Sequence, residues 1–394
     1  MWGLNAANFF LAGTVIAFIP FLNAFLKVHH WSYDEIGAAT AVSALGSLIF
    51  QTPAGVISDR IRWRRSLLAI SSVSLGVIFV VLPWLVNQDL AIYLALFLFG
   101  VAGTFLVPLL AALALSLAGR EHLGMTIGIN QSWNHLGGVG GALLSLVFVN
   151  SFGIESVFYF ISACALLASL SLFLIRKNEL NPDLFLEGKT TDLGRHSKKS
   201  GSVFRYLQNP SVRTLIISVG LFQIANAPLM PLLGLYLKHL GGDDGLVAWV
   251  VLIETAAMIP ASWYAGKTSV AQGRKPIFAI AFLLLPLRIL LCCVSANTLV
   301  LLGLQVLVGI SAGIYSVAIV LVCSDLSRER GGFNSLLAMT QTAIALGGVI
   351  GPLIQGFSTQ HFGFQTTFLI LAGISILGAA IFLMKMPETR KTTS

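Results

Sequence analysis

Three ionisable side chains stand where charge is expensive. Glu254, His135 and Arg288 each lie deep inside a long apolar run. At about 1.5 Å per helical residue, a depth of about ten to twelve residues is close to the middle of a bilayer. A charge there costs about 2.5–3.5 kcal/mol on insertion scales, so each needs a partner or a task. Two readings of Glu254 stay open. It forms a static buried pair with Arg288, or it faces a cavity where substrate and His135 compete with a proton for it. The second reading makes Glu254 and His135 the proton-coupling candidates.

A polar run surrounds the histidine: Asn130-Gln131-Ser132-Trp133-Asn134-His135. Asn130, Asn134, Gly137 and Gly141 follow helical spacing and share one face, with Gln131, His135 and Gly138 on the next. Such a run lines a cavity or closes a dry network between helices. Candidate substrate contacts are Asn130, Trp133, Asn134, His135, Gln223, Asn226, Glu254, Tyr315 and Gln341, with Asn23 and Gln51 beside them. Pro228 and Pro231 follow Asn226, where a broken helix exposes backbone to a ligand.

The elements that must position these residues follow from composition. The chain has 394 residues, 56% hydrophobic and 10% charged, with net charge +8. Its mean hydropathy is +0.86. That excludes a soluble domain and predicts an all-α integral membrane protein. The alternation of an outer-membrane barrel is absent. Twelve helices are expected, at roughly 4–27, 34–58, 66–86, 90–118, 123–150, 154–175, 211–237, 246–266, 276–296, 298–325, 332–357 and 364–385. The first run lacks a basic leader and is too long for a signal sequence, so no cleavable segment is expected. An even count puts both termini on one side. Of the 24 Lys and Arg, 21 fall in the loops of that side or in the tail, so termini and central loop are expected in the cytoplasm. A bacterial inner membrane is the expected location. This clustering also argues against nucleic acid as the partner of the basic excess. Cys164, Cys292, Cys293 and Cys323 sit in apolar runs without metal-ligand spacing, so neither a metal nor a cofactor is expected. One acid and one histidine inside the membrane are too few for an enzyme. No Walker motif is present, so an ion or solute gradient must supply the energy.

The chain repeats itself. Pro20 and Lys27 match Pro231 and Lys238, Gly100 matches Gly309, and Arg120-Glu121 matches Arg328-Glu329. Gly137, Gly141 and Phe152-Gly153 match Gly347, Gly351 and Phe362-Gly363. A nearly constant offset divides the chain into two six-helix bundles, 1–177 and 210–394, joined by a polar linker at 178–209. Gly137, Gly141, Gly347, Gly351 and the adjoining Pro352 have the small-x-x-x-small spacing that lets helix backbones approach.

Two basic loops complete the repeat: Gly55-Val56-Ile57-Ser58-Asp59-Arg60-Ile61-Arg62-Trp63-Arg64-Arg65 and Gly266-Lys267-Thr268-Ser269-Val270-Ala271-Gln272-Gly273-Arg274-Lys275. They resemble the loop signature G-x-x-x-D-R-x-G-R-K of the major facilitator superfamily. The first copy keeps the acid and the second keeps the last three residues. The resemblance covers nearly the whole chain and implies two pseudo-symmetric bundles working by alternating access, as a monomer. It implies a gating role for Gly55, Asp59, Arg60 and Arg64, and for Arg274 or Lys275 with Asp325. Leu96 stands where drug exporters of this family carry a helix 4 arginine, and Gln305 is its counterpart in the second half. The expected function is proton-coupled export of small amphipathic compounds. Uptake or export of a specific metabolite, such as an anion attracted by Arg288, is the alternative, and a non-transporting sensor on the same fold is a third.

Overall fold

The computed structural model describes residues 1–31, 33–176, 206–241, 245–328 and 332–390. Most of the expected linker lies outside the described residues, as do the side chains of Asn23, Lys27 and Lys238. The apolar runs are helices: α1 (Trp2–Val28), α2 (Tyr33–Arg60), α3 (Arg64–Val81), α4 (Asp89–Gly103), α5 (Leu106–Phe152) and α6 (Ser156–Phe173) in the first half. The second half holds α7 (Pro210–Asn226), α8 (Leu229–His239), α9 (Gly245–Gln272), α10 (Arg274–Val294), α11 (Thr298–Gly303), α12 (Gln305–Ser327) and α13 (Phe333–Lys385). Among the described residues, eight helical stretches are long and apolar enough to cross a membrane. Two of them, Asp89–Phe152 and Phe333–Lys385, exceed one crossing at 64 and 53 residues. Each covers two of the expected spans and is broken by a non-helical glycine, Gly119 or Gly363.

Contacts divide the chain into two units, 1–186 with 332–338, and 187–331 with 339–394. In the first, α1 packs on α5 and α6, α2 on α4, and α3 on α6. An aromatic knot centres on Phe18, whose ring lies 4.4 Å from Phe99 and 4.8 Å from Phe79. In the second, α12 packs on α9 and α10. There Phe282 stacks on Phe382 at 4.5 Å and Tyr315 on Phe222 at 4.6 Å. Lipid supplies little hydrophobic drive between helices, so close packing and interhelical polar contacts hold each unit together.

The repeat read from the glycines is a repeat of contacts. A side chain on Gly137 of α5 would strike the backbone of Phe9 in α1, and one on Gly141 would strike Gly13. In the second unit, Gly347 of α13 lies against Gly220, Gln223 and Ile224 of α7, and Gly351 against Ile224 and Pro228. Likewise Gly100 of α4 rests on the Ser43 carbonyl of α2, and Gly309 of α12 on the Glu254 carbonyl of α9. Phe9 and Gly220 are 211 positions apart, and so are Ser43 and Glu254.

Candidate functional site

A pocket of about 330 Å³ lies in the second unit. Its polar wall is Gln223 and Asn226 from α7, Glu254 from α9, Arg288 from α10 and Gln305 from α12. Its apolar wall includes Met230 and Leu233 of α8, Ile289 and Cys292 of α10, Val308 of α12 and Phe368 of α13. Three residues singled out by type and depth, Gln223, Asn226 and Glu254, therefore share one pocket with Arg288.

The geometry does not show the static pair. Glu254 and Arg288 line the same pocket, yet among the described residues no ion pair within 4.0 Å joins them. The guanidinium of Arg288 is instead held by a short hydrogen bond from its Nη2 to Oδ1 of Asn226. Arg288 is only 6% exposed, and its Nε–H has no acceptor among the described residues. Gln305 is buried too and donates through Nε2 to the Leu301 carbonyl at 2.8 Å. The hold of Asn226 on Arg288 was not foreseen. The signal available for it was an amide and an arginine, each alone in an apolar run.

The polar run of α5 belongs to the first unit. The Asn134 amide donates to the Asn8 carbonyl of α1 at 3.4 Å, and Trp133 meets Phe9 and Trp2 edge-on. His135 and Asn130 are buried, with His135 Nε2 and Asn130 Oδ1 unpartnered among the described residues. Gly137 and Gly141 were expected to pack helices closely. They pack against α1, because only a glycine leaves room for its backbone. Tyr315 stacks in the aromatic core of the second unit, and Gln341 lies half-buried on α13; neither lines the pocket. Pro352 is exposed on α13.

The two basic turns are built differently. In the first, the Asp59 carboxylate accepts from the backbone N–H groups of Asn334 at 2.9 Å and Ser335 at 2.7 Å, and from the Ser335 hydroxyl. These are orphan donors at the first turn of α13, where a helix favours negative charge. Gly55 lets this turn close, since a side chain there would meet Asn334 and Ala338. Arg64 donates to the Ser58 carbonyl at 3.1 Å and the Asp59 carbonyl at 3.3 Å, tying off the end of α2. Arg60 is exposed.

In the second turn, Arg274 Nε pairs with Asp325 Oδ2 at 3.1 Å, the partnership expected for it. The tail brings a second acid to this turn. Glu388 accepts from the backbone N–H of Arg274 at 2.9 Å and of Lys275 at 3.0 Å. Gly273 has φ +94°, a left-handed conformation, and a side chain there would collide with the Glu388 carboxylate. Thr389 reaches Asp325, and Arg390 donates to the Ala271 carbonyl at 3.1 Å. Sequence reasoning missed Glu388, since an acid in a short tail carries no pattern.

This strap predicts a pH response. Partial burial alone would raise the Glu388 carboxyl, but the amides of Arg390, Arg274, Lys275 and Thr389 outweigh it and hold it below its ordinary value of 4.5. A depressed folded-state value means the strap contributes fully above the unfolded-state value and loses its contribution as pH falls through the folded one. Hydrogen-exchange protection of the Arg274 and Lys275 amides should therefore be constant above pH 4.5 and decline below it. Glu388→Gln should weaken it at neutral pH. Unchanged protection in the variant would show that the tail does not hold the turn.

Comparison with known proteins agrees with this architecture. The model of the MFS_1 like family matches residues 1–370. An uncharacterized MFS-type transporter of Mycobacterium tuberculosis is 29% identical over 393 residues, covering 98% of this chain and 93% of its own. The multidrug resistance protein MdtG of Klebsiella pneumoniae is 25% identical, with 94% and 89% covered. Among solved structures, the human organic anion transporter MFSD10 superposes with a TM-score of 0.75 at 17% identity, covering 96% of this chain and 98% of that one. The proton:xylose symporter XylE superposes with a TM-score of 0.77 at 16% identity, covering 98% and 95%. The two-unit helical fold, its paired glycine contacts and this family match together place the chain in the MFS_1 like family of the major facilitator superfamily, as a multi-pass membrane transporter and not an enzyme.

Proposed function

We propose that this protein is a proton-coupled secondary transporter that exports small amphipathic compounds by alternating access. It works as a monomer in a bacterial inner membrane with both termini cytoplasmic. The observation that carries the reading is the pocket of the second unit, where Glu254 shares a mostly apolar chamber with three amides and Arg288 and is not locked into an ion pair among the described residues. A carboxyl group in that setting can gain and lose a proton during a transport cycle. Relatives named as multidrug resistance proteins support export. The 21 basic residues on one side support the orientation. The turns at Asp59 and at Arg274, Lys275 and Asp325 are proposed as gating elements. A second reading, transport of an anionic metabolite, is favoured by the buried Arg288.

The test uses proteoliposomes with an imposed pH gradient and two amphipathic dyes, cationic ethidium and anionic anilinonaphthalene sulfonate. The gradient should drive at least one dye across vesicles that contain the protein and not across empty ones. Glu254→Gln should slow that movement about tenfold or more, equivalent to about 1.4 kcal/mol, and flatten its pH dependence. Movement of neither dye, or a pH profile untouched by the substitution, would sink the proposal.

A further inference from the structure

The charges lining the pocket of the second unit bear on what it takes, provided that pocket is the substrate site proposed above. Glu254 and Arg288 are its two charged side chains, and Cys292 is the other titratable group on its wall. The residues contributed by α7, α8, α12 and α13 (Asn226, Met230, Val308 and Phe368 among them) do not titrate. A guanidinium keeps its charge under all ordinary conditions, whereas a carboxyl group does not.

Arg288 is also geometrically poised. Asn226 fixes one edge of its planar head through Nη2. Its Nε–H is buried and lacks an acceptor among the described residues, and the Glu254 carboxylate does not reach within ion-pair distance of it. A planar oxyanion is the ligand group that matches a guanidinium edge. The facing wall of Met230, Leu233, Val308 and Phe368 suits an apolar body attached to that head.

We propose that the pocket binds a small amphipathic monoanion, a carboxylate on an apolar body, on Arg288 together with one proton on Glu254. The reason is charge balance in an apolar chamber. With Glu254 ionised, the pair is neutral overall and an entering anion leaves a net negative charge out of water. With Glu254 protonated, Arg288 is uncompensated and the anion restores neutrality. Burying a net charge is far costlier than burying a balanced pair. Anion and proton therefore favour each other's binding by the same factor, the linkage of co-transport, which develops the anionic-metabolite reading and not proton-driven export. A cation would show the opposite linkage, since it needs Glu254 ionised and is repelled by Arg288.

The test is a binding titration of the purified full chain in detergent with 4-phenylbutyrate, 4-phenylbutylamine and 4-phenylbutanol. These share one body and differ in the head. 4-Phenylbutyrate should bind most tightly, and its affinity should fall about tenfold per pH unit above the titration of Glu254. A pH dye in weak buffer should record one proton taken up per anion bound. Glu254→Gln, which imitates the protonated carboxyl, should abolish both the pH slope and the proton uptake. Arg288→Gln should weaken 4-phenylbutyrate about tenfold or more while sparing 4-phenylbutanol. Arg288→Lys, which keeps the charge without the fork, should fall between, and it serves if the glutamine variant does not fold. Preference for 4-phenylbutylamine, with proton release, would overturn the inference and leave a transporter of cations standing. A pH slope that persists in Glu254→Gln would also overturn it. Saturable binding of none of the three would overturn both the inference and the reading of this pocket as the substrate site.

Discussion

Gly137→Ala should destabilise the folded protein by about 3 kcal/mol, and Gly137→Leu should prevent recovery of a monodisperse protein. Overpacking a core costs about 1–3 kcal/mol when neighbours can adjust, and more when they cannot. Here the neighbour is backbone. The three atoms nearest to an added Cβ are the carbonyl oxygen, carbonyl carbon and Cα of Phe9, the last at 2.7 Å. Relief therefore requires moving α1 away from α5 as a unit. That would also pull at Gly141, which rests on Gly13 one turn on. The control is one turn round the same helix. A Cβ on Gly140 would come no nearer than 3.7 Å to the flexible end of the Phe9 ring. Gly140→Ala should be neutral or slightly stabilising, because alanine is the better helix former by about 1 kcal/mol. Melting curves in detergent decide it. Similar melting of Gly137→Ala and wild type would mean that α1 and α5 do not approach as described.

Asp59→Asn should free the first turn of α13. The carboxylate accepts two backbone amides and one hydroxyl there, with no second acid on the same donors among the described residues. Hydrogen bonds to a charged partner are worth about 1.5–3 kcal/mol, and the helix terminus adds a preference for negative charge. An asparagine keeps one oxygen and turns an N–H₂ group toward donors. The expected loss is about 2–3 kcal/mol, or roughly thirty- to a hundred-and-fiftyfold faster exchange of the Asn334 and Ser335 amides. Ser335→Ala removes the hydroxyl alone and should show a smaller part of the same effect. The readout is hydrogen exchange at 334 and 335 relative to a helix interior. Equal exchange in wild type and Asp59→Asn would show that Asp59 does not cap this helix.

The parts of this molecule that could be read from sequence are those where one residue carries its own meaning. Apolar runs had to be helices because lipid leaves backbone groups no other partner. Gly100 and Gly309, or Gly137 and Gly347, could be paired because a glycine inside a membrane helix marks a close approach wherever it stands. Glu254 and Arg288 stood out because charge in an apolar run is costly. What could not be read was the choice of partner. Asn226 rather than Glu254 holds Arg288, the backbone of Phe9 is what meets Gly137, and Glu388 from the tail takes the amides of Arg274 and Lys275. Each of these depends on which helix face meets which neighbour. That is settled by packing across residues far apart in the chain, and periodicity within one helix does not encode it.

The carbonyl of Glu254 lies under Gly309, as that of Ser43 lies under Gly100. In a chain whose halves repeat, these are one slot with two tenants. The backbone joint is made by the glycine and the carbonyl in both places. Either half could exchange a hydroxyl for a carboxyl group there without remaking the joint. The repeat thus offers a place where chemistry can differ while architecture stays fixed, and the acid stands in one copy only.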